Sequence, residues 1–525
     1  MDKTDRLRDY GLAFLLYEQG LGICGYGLIR ELFIFIKLIL NSYLENYFTT
    51  ENDVERAVYG AYMALRSGSC MGEGSTMYTE ERSDNTGRLD NQSSAGEPFQ
   101  FTDFSLLPSN TYLKSHWQAM YKTVNNANFA LKGIQTVTFS DEKEKDNYEA
   151  EARFVRALVY FDIVRKWGDA PLVTSYLATP AEIEAHTFRE DKKKIYEQIV
   201  EDLEFGIEKS TLPNHQPEGN KGRANKAAMA GLLGKVYLTM AHVLDTQNRK
   251  EYLNSAKTYL EMCLGMKQFN RLNEVTYDDN AQTGLFAVAN KSTCPEILFQ
   301  IVYKQGDKDY HSSIAADNQS IGITCNSQYP SKGQGTYVNE DLINEYEATD
   351  KRKAFSVVYA DNPKAMAYCI TKFRDTSDAA GTLAYGGNDW IILRYADVIL
   401  MMAEVYEALG EETKAIPYLD EVRERAGLPG YIESIQNTDY RSKYPTLKLA
   451  ILHERRVELA FENQRWYDLL RFFTIDELVT YMHAKDPNCY GISNLQNFNE
   501  KDIYYPIPYD EWKLNPEGMY QNEGY

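Results

Sequence analysis

The sequence predicts a mainly α protein: a tetratricopeptide-like scaffold of helix pairs, interrupted by long irregular insertions. Three observations carry this. Amphipathic stretches with apolar residues at helical spacing run through much of the chain from about residue 45. Three of them place a small residue three positions before a tyrosine: Ala157 and Tyr160, Gly234 and Tyr237, Ala403 and Tyr406. Two blocks, 66–112 and about 270–390, have no helical period.

In chain order, "ENDVERAVYGAYMAL" (51–65) follows Thr50, a good N-cap. The block 66–112, rich in Gly, Ser, Asn and Asp, reads as a long loop. Helices resume with "HWQAMYKTVNNANFALKGI" and "NYEAEARFVRALVYFDIVRKW", then "DKKKIYEQIVEDLEFGI", "NKAAMAGLLGKVYLTMAHVL" and "KEYLNSAKTYLEMCL". The second irregular block holds strand-like text such as "EILFQIVY". A helical hairpin over 395–426 and a helix over 446–473 complete the series. In the hairpin, Ala415 and Leu419 follow the Ala403/Tyr406 pair, and Pro429 marks the stop. Small residues let two helices approach and the aromatic fills the adjoining groove, the logic of a helical repeat.

Lys plus Arg is 56 and Asp plus Glu 76, a formal charge of −20. Such a balance argues against nucleic acid, whose phosphates need a basic surface, and against docking on anionic lipid. Tyrosine outnumbers phenylalanine 40 to 22, which suits half-wet recognition surfaces as well as helix packing. The seven cysteines are dispersed, with no CxxC and no metal-type spacing, and do not read as a disulfide framework.

Catalytic signatures are missing. The sequence holds no HExxH, GxSxG, P-loop or dinucleotide fingerprint, so neither a metal nor a cofactor is expected. A pair of glycosidase carboxylates leaves no local signature and stays open. The most charged stretch, "ERRVELAFENQRWYDLLRF" (454–472), interleaves Glu454, Glu458 and Asp468 with Arg455, Arg456, Arg465 and Arg471. Paired guanidiniums keep carboxyls ionised, so the stretch reads as structural ion pairs and not as a proton donor.

That stretch also resembles the late helix of the SusD/RagB family, of the form ERR–x–E–hydrophobic–x–FE–x–x–RW–x–DL–x–R. Four further segments match the family in order: "EARFVRALVYFDIVRKWGDAPLV", "EDLINEYEATDKRK", "LRYADVILMMAEVYEALG" with "YLDEVRERAGLP", and the closing "YYPIPYDEWKLNPEGMYQNEGY". The resemblance implies one domain over 45–525, with an N-terminal part (45–270) and a C-terminal part (271–525). It implies about four tetratricopeptide-like units with an irregular, loop-built ligand face. It further implies a lipoprotein of the outer-membrane surface that binds glycan without catalysis and serves a SusC-like TonB-dependent transporter. The alternatives are a peptide-binding tetratricopeptide scaffold, disfavoured by the long Tyr- and Asn-bearing insertions, and an α-helical glycoside hydrolase.

Residues 1–44 depart from the family pattern. The apolar text around "LGIC" is interrupted by Glu18, Arg30, Glu31 and Lys37, and Ile23 precedes Cys24 where a lipobox carries a small residue. The segment is expected to be a degenerate signal or a misassigned start, with no clear lipid-anchor site.

The family's ligand site is made by loops outside the helical units, which here are the two irregular blocks. Expected ligand residues are Tyr78, Arg82, Asp84 and Asn85 in the first block. In the second they are Tyr310, Asn318, Tyr329 and Tyr337, with Trp390 at the entrance to the late hairpin. Trp167, Trp466 and Trp512 lie in framework motifs and are expected to be packed. The first block has few clustered basic residues, since Arg82 and Arg88 are balanced by Glu80, Glu81, Asp84 and Asp90. A neutral oligosaccharide is therefore the expected ligand.

Overall fold

The computed structural model describes residues 47–525 except 89–90, 245, 331–335, 362–366 and 492–494. The atypical segment 1–44, with Cys24, lies outside the described residues, as does Asp90. Eight helices form four consecutive pairs. These are α1 (Glu51–Leu65) with α2 (Thr111–Thr136), and α3 (Glu142–Trp167) with α4 (Lys192–Lys209). Then come α5 (Lys226–Val243) with α6 (Arg249–Gly265), and α7 (Tyr395–Ala408) with α8 (Glu412–Ala426). Each pair also packs on the next through α2 against α3, α4 against α5 and α6 against α7, which gives the repeat its continuous core.

Local chemistry sets the helix starts. Thr50 accepts from the Asp53 amide while the Asp53 carboxylate accepts from the Thr50 amide, a full capping box on α1. Asn110, Asp141, Asp191 and Asn225 cap α2 to α5 through their side chains. The small–x–x–Tyr pairs do what their spacing predicts. A Cβ on Gly234 would lie 2.6 Å from Leu260, so α5 and α6 meet there only because glycine has none. Tyr237 stacks on Tyr259 at 5.7 Å, and both hydroxyls donate to Glu204. Tyr406 lies over Tyr418 in the same way, at 5.8 Å.

Two small sheets stitch the insertions to the repeat. Strands β1 (Thr86–Arg88), β3 (Thr336–Val338), β5 (Ala367–Ile370) and β4 (Val357–Ala360) form one antiparallel sheet in that order. Strand β2 (Ile297–Ile301) pairs antiparallel with β6 (Trp390–Arg394), whose last residue runs directly into α7.

One expectation changes. The predicted helix 446–473 is two helices, α9 (Leu447–Glu458) and α10 (Arg465–Phe472). Between them Phe461 and Asn463 adopt left-handed backbone (φ +70° and +59°), which no helix accommodates. The buried Glu80 carboxylate holds this turn, accepting from the Phe461 and Asn463 amides at 3.0 Å each. Helical periodicity on both sides of the turn hides it in the sequence.

Candidate functional site

The charged late stretch is framework. Glu458 is fully buried among Arg352, Arg394 and Arg425, with Tyr277 also donating to it. Burial alone would raise its carboxyl, but the three guanidiniums outweigh burial and hold it well below the usual range. Arg455 bridges Asp397 (2.8 Å) and Asp468 (2.9 Å), while Arg471 pairs with Glu404 (2.8 Å) and Asp468 (2.7 Å). Arg394 adds Glu296 and Glu462 at 2.8 and 2.7 Å. These pairs tie α9 and α10 to α7, α8, β6 and the second insertion, so they position the fold and face no ligand.

Several expected ligand residues belong to the same framework. Tyr78 stacks on His116 (4.0 Å, interplanar angle 3°), and both are buried. Arg82 lies among Trp466, Tyr505 and Phe104 and donates to the Asp502 carbonyl. Asp84, with no exposed surface, binds Arg465, Arg456 and Lys485. Asn85 bridges Glu80 and Arg456. In the second block Tyr337 is buried and donates to the Tyr490 carbonyl. Trp390 is buried on β6 and lines an interior cavity of about 50 Å³, room for a few waters at most. A side chain without surface offers a sugar neither a ring face nor a hydrogen bond, so these six are reassigned from ligand face to framework. Trp167 and Trp466 are packed as expected, and Trp512 is half-buried against Tyr509.

The remaining three, Tyr310, Asn318 and Tyr329, lie on the surface of the second block. Tyr310 is 43% exposed, and Asn318 and Tyr329 are half-buried. The Arg66 guanidinium, at the end of α1, sits 4.3 Å over the Tyr310 ring and forms no ion pair among the described residues. Next to it His311 packs against Tyr385 at 4.3 Å. Arg66, His311 and Tyr385 are additions that sequence reasoning did not single out. Their juxtaposition depends on contacts between distant segments, 244 positions apart for Arg66 and Tyr310 and 74 for His311 and Tyr385.

This face is held rigidly. Ser312 and Gly386 exchange both backbone hydrogen bonds at 2.9 Å. Asp307 accepts from the Tyr310 amide at 3.2 Å, turning the chain so that the ring points outward. Glu73, from the first block, accepts from the Ser312 hydroxyl, the Ser313 amide (2.8 Å) and the Ser313 hydroxyl (3.2 Å). Burial pushes the Glu73 carboxyl up to about 7, against the pull of those serine donors. A second concavity, about 280 Å³, lies between α2 and the segment 171–187, with Trp117, Tyr121, Leu177 and Ile183 in its walls. No group of side chains suited to a metal ion occurs among the described residues, and no described helix is long and apolar enough to cross a membrane.

A repeat of helix pairs carrying a loop-built face with an exposed tyrosine defines a helical-repeat scaffold with loop insertions. Comparison with known proteins places it further. Residues 358–525 match the model of the SusD family, and residues 44–238 match a model described as starch-binding, associating with outer membrane. The chain is a member of the SusD/RagB family. It is 26% identical over 503 residues to a SusD-like protein of Formosa agariphila, covering 92% of this chain and 94% of that one. A SusD-like protein of Bacteroides ovatus is 25% identical over 435 residues, covering 76% and 73%. The fold superposes on a laminarin-binding SusD-like protein with a TM-score of 0.71 at 23% identity, covering 91% and 100%. For surface glycan-binding protein A of Bacteroides thetaiotaomicron, in complex with laminarihexaose, the TM-score is 0.69 at 20% identity, covering 90% and 99%.

Proposed function

We propose that this protein is a non-catalytic, surface-exposed outer-membrane protein that captures an oligosaccharide on the Tyr310 face and passes it to a SusC-like TonB-dependent transporter. The observation that carries the reading is the exposed Tyr310 ring, backed by Arg66 and flanked by His311 and Tyr385 on a hydrogen-bonded frame. A sugar presents C–H groups on its ring faces and hydroxyls around its rim. An outward aromatic beside the Arg66 guanidinium matches both, with Asn318 and Tyr329 as further contacts. The family membership and the glycan-binding relatives support the ligand class; the transporter rests on the family alone.

The ligand is neutral or weakly charged. The −20 charge repels a polyanion wherever the field is not locally reversed, although at ~8 Å of screening one guanidinium still acts at short range. Stacking on neutral hexoses needs no cation. Affinity in the millimolar to micromolar range corresponds to roughly 4–8 kcal/mol.

Isothermal titration with laminarihexaose, other neutral oligosaccharides and a sulfated or uronic-acid-rich set tests this. Replacing Tyr310 with Ala should weaken neutral-glycan binding at least about tenfold, ~1.4 kcal/mol. Unchanged affinity in that variant, or binding confined to sulfated chains and abolished by salt, overturns the reading. Reducing-sugar release from the same panel would reveal a hydrolase instead. Co-purification from outer membranes without any barrel partner would remove the transporter from the proposal.

A further inference from the structure

The dispersed cysteines give no pattern in the sequence, yet the fold brings two of them together. Cys369 lies on β5 and is buried; Cys325 lies in the surface loop 318–329 and is half-buried. The loop runs along β5 and is fastened to it on both sides of Cys325. On one side the Ser320 amide donates to Cys369 Sγ at 3.2 Å, with the Ser320 Oγ 3.1 Å from the same sulfur. On the other, Asn326 donates to the Ile370 carbonyl at 2.8 Å and accepts from the Asp375 amide at 3.0 Å. Cys325 precedes Asn326 and Cys369 precedes Ile370, so these bonds set the two cysteines side by side. The remaining buried cysteines differ: Cys70 Sγ sits against Thr123 and Met120, and burial pushes its thiol up to about 12.

We propose that Cys325 and Cys369 form a redox pair that closes into a disulfide outside the reducing cytosol and pins the 318–329 loop to β5. Exposure favours Cys325 as the first nucleophile, since an oxidant reaches a half-exposed thiol before a buried one. The Cys325 thiolate attacks the sulfur of an oxidising disulfide, such as oxidised glutathione or a thiol–disulfide oxidoreductase, and one oxidant thiol leaves. The neighbouring Cys325 side chain and the Ser320 amide hold Cys369 below an ordinary thiol. Cys369 then loses its proton to solvent and attacks Cys325 Sγ, expelling the second oxidant thiol. Two protein thiols are oxidised and one oxidant disulfide is reduced to two thiols. Asn318 and Tyr329 stand at the ends of the pinned loop. An effect on glycan affinity therefore rests on the function proposed above, while the covalent bond does not.

The full chain, equilibrated with oxidised glutathione, is blocked at acid pH with an alkylating reagent and digested without reduction. The expected product is a disulfide-linked peptide pair containing Cys325 and Cys369, lost on reduction and absent from the Cys325→Ser variant. Oxidised wild-type protein should melt roughly 2–4 °C above its reduced form, with no such gap in Cys325→Ser. Recovery of both residues alkylated, or of Cys325 carrying glutathione alone, overturns the proposal. These readouts need no glycan, so failure of the binding reading leaves them intact.

Discussion

Asp84 separates a framework role from a binding role, because its place in a Gly/Ser-rich insertion suggests one and its surroundings dictate the other. Its carboxylate meets Arg465 through both oxygens (2.7 and 2.9 Å), Arg456 at 3.2 Å, Lys485 at 3.1 Å and the Tyr481 hydroxyl at 2.8 Å. Burial opposes its ionisation, but Arg456, Arg465 and Lys485 prevail and hold it well below the usual carboxylate range. Asp84→Asn keeps the shape and removes the charge. Arg456 and Lys485 retain Asp341, at 2.7 and 2.8 Å. Arg465 is left buried with no carboxylate. Breaking a buried pair in this way costs about 3–5 kcal/mol. A chain of 525 residues has a melting entropy of roughly 1 kcal/mol/K, so the melting temperature should fall by about 3–5 °C. The depressed carboxyl gives the sign of the pH effect. Its contribution is fully present above the unfolded value near 4 and is lost as pH falls through the lower folded value. Wild type and variant should therefore converge in melting temperature under strongly acid conditions. Circular-dichroism melts, paired with titration of laminarihexaose at 20 °C, check both halves. An unchanged melting temperature with lost glycan binding would refute the framework assignment.

Glu73→Gln should preserve the acceptor for the Ser313 amide while removing a carboxyl that burial raises to about 7. Wild-type stability falls as pH climbs from the unfolded value near 4.5 through 7, so melts at pH 5 and pH 8 should differ less in the variant; an equal difference would exclude Glu73 as the source. Gly234→Ala puts a Cβ 2.6 Å from Leu260 and should cost about 1–3 kcal/mol, seen as a lower melting temperature, whereas a neutral result would show that α5 and α6 separate freely.

Much of the architecture is legible because helices declare themselves locally. Caps, apolar spacing and the small–x–x–Tyr pairs lie within a few residues of one another, and each helix pair follows from them. The late stretch is legible in kind, since opposite charges on neighbouring turns must find partners. Its actual partners are not: Asp84, Arg352 and Arg394 come from distant parts of the chain. The ligand face is harder still. Tyr78, Arg82, Asp84 and Asn85 have the composition of a recognition loop, an aromatic beside hydrogen-bonding groups. The same composition also makes a buried polar plug once three cations wait for the carboxylate. Only long-range packing decides between them.

That division has a consequence for how the fold can vary. The first insertion spends its polar groups inward: Glu80 holds the turn before α10, and Asp84 holds Arg456 and Arg465. A substitution there therefore disturbs the ion network before it touches any ligand. The second insertion also sends Glu296 and Arg352 into the buried charges, but it keeps Tyr310, Asn318 and Tyr329 at the surface, where the Ser312–Gly386 exchange of backbone hydrogen bonds helps hold the chain. Backbone hydrogen bonds do not depend on side-chain identity. The outward residues of that block can change, and with them the glycan recognised, without removing a single partner from the buried charges that fix the scaffold.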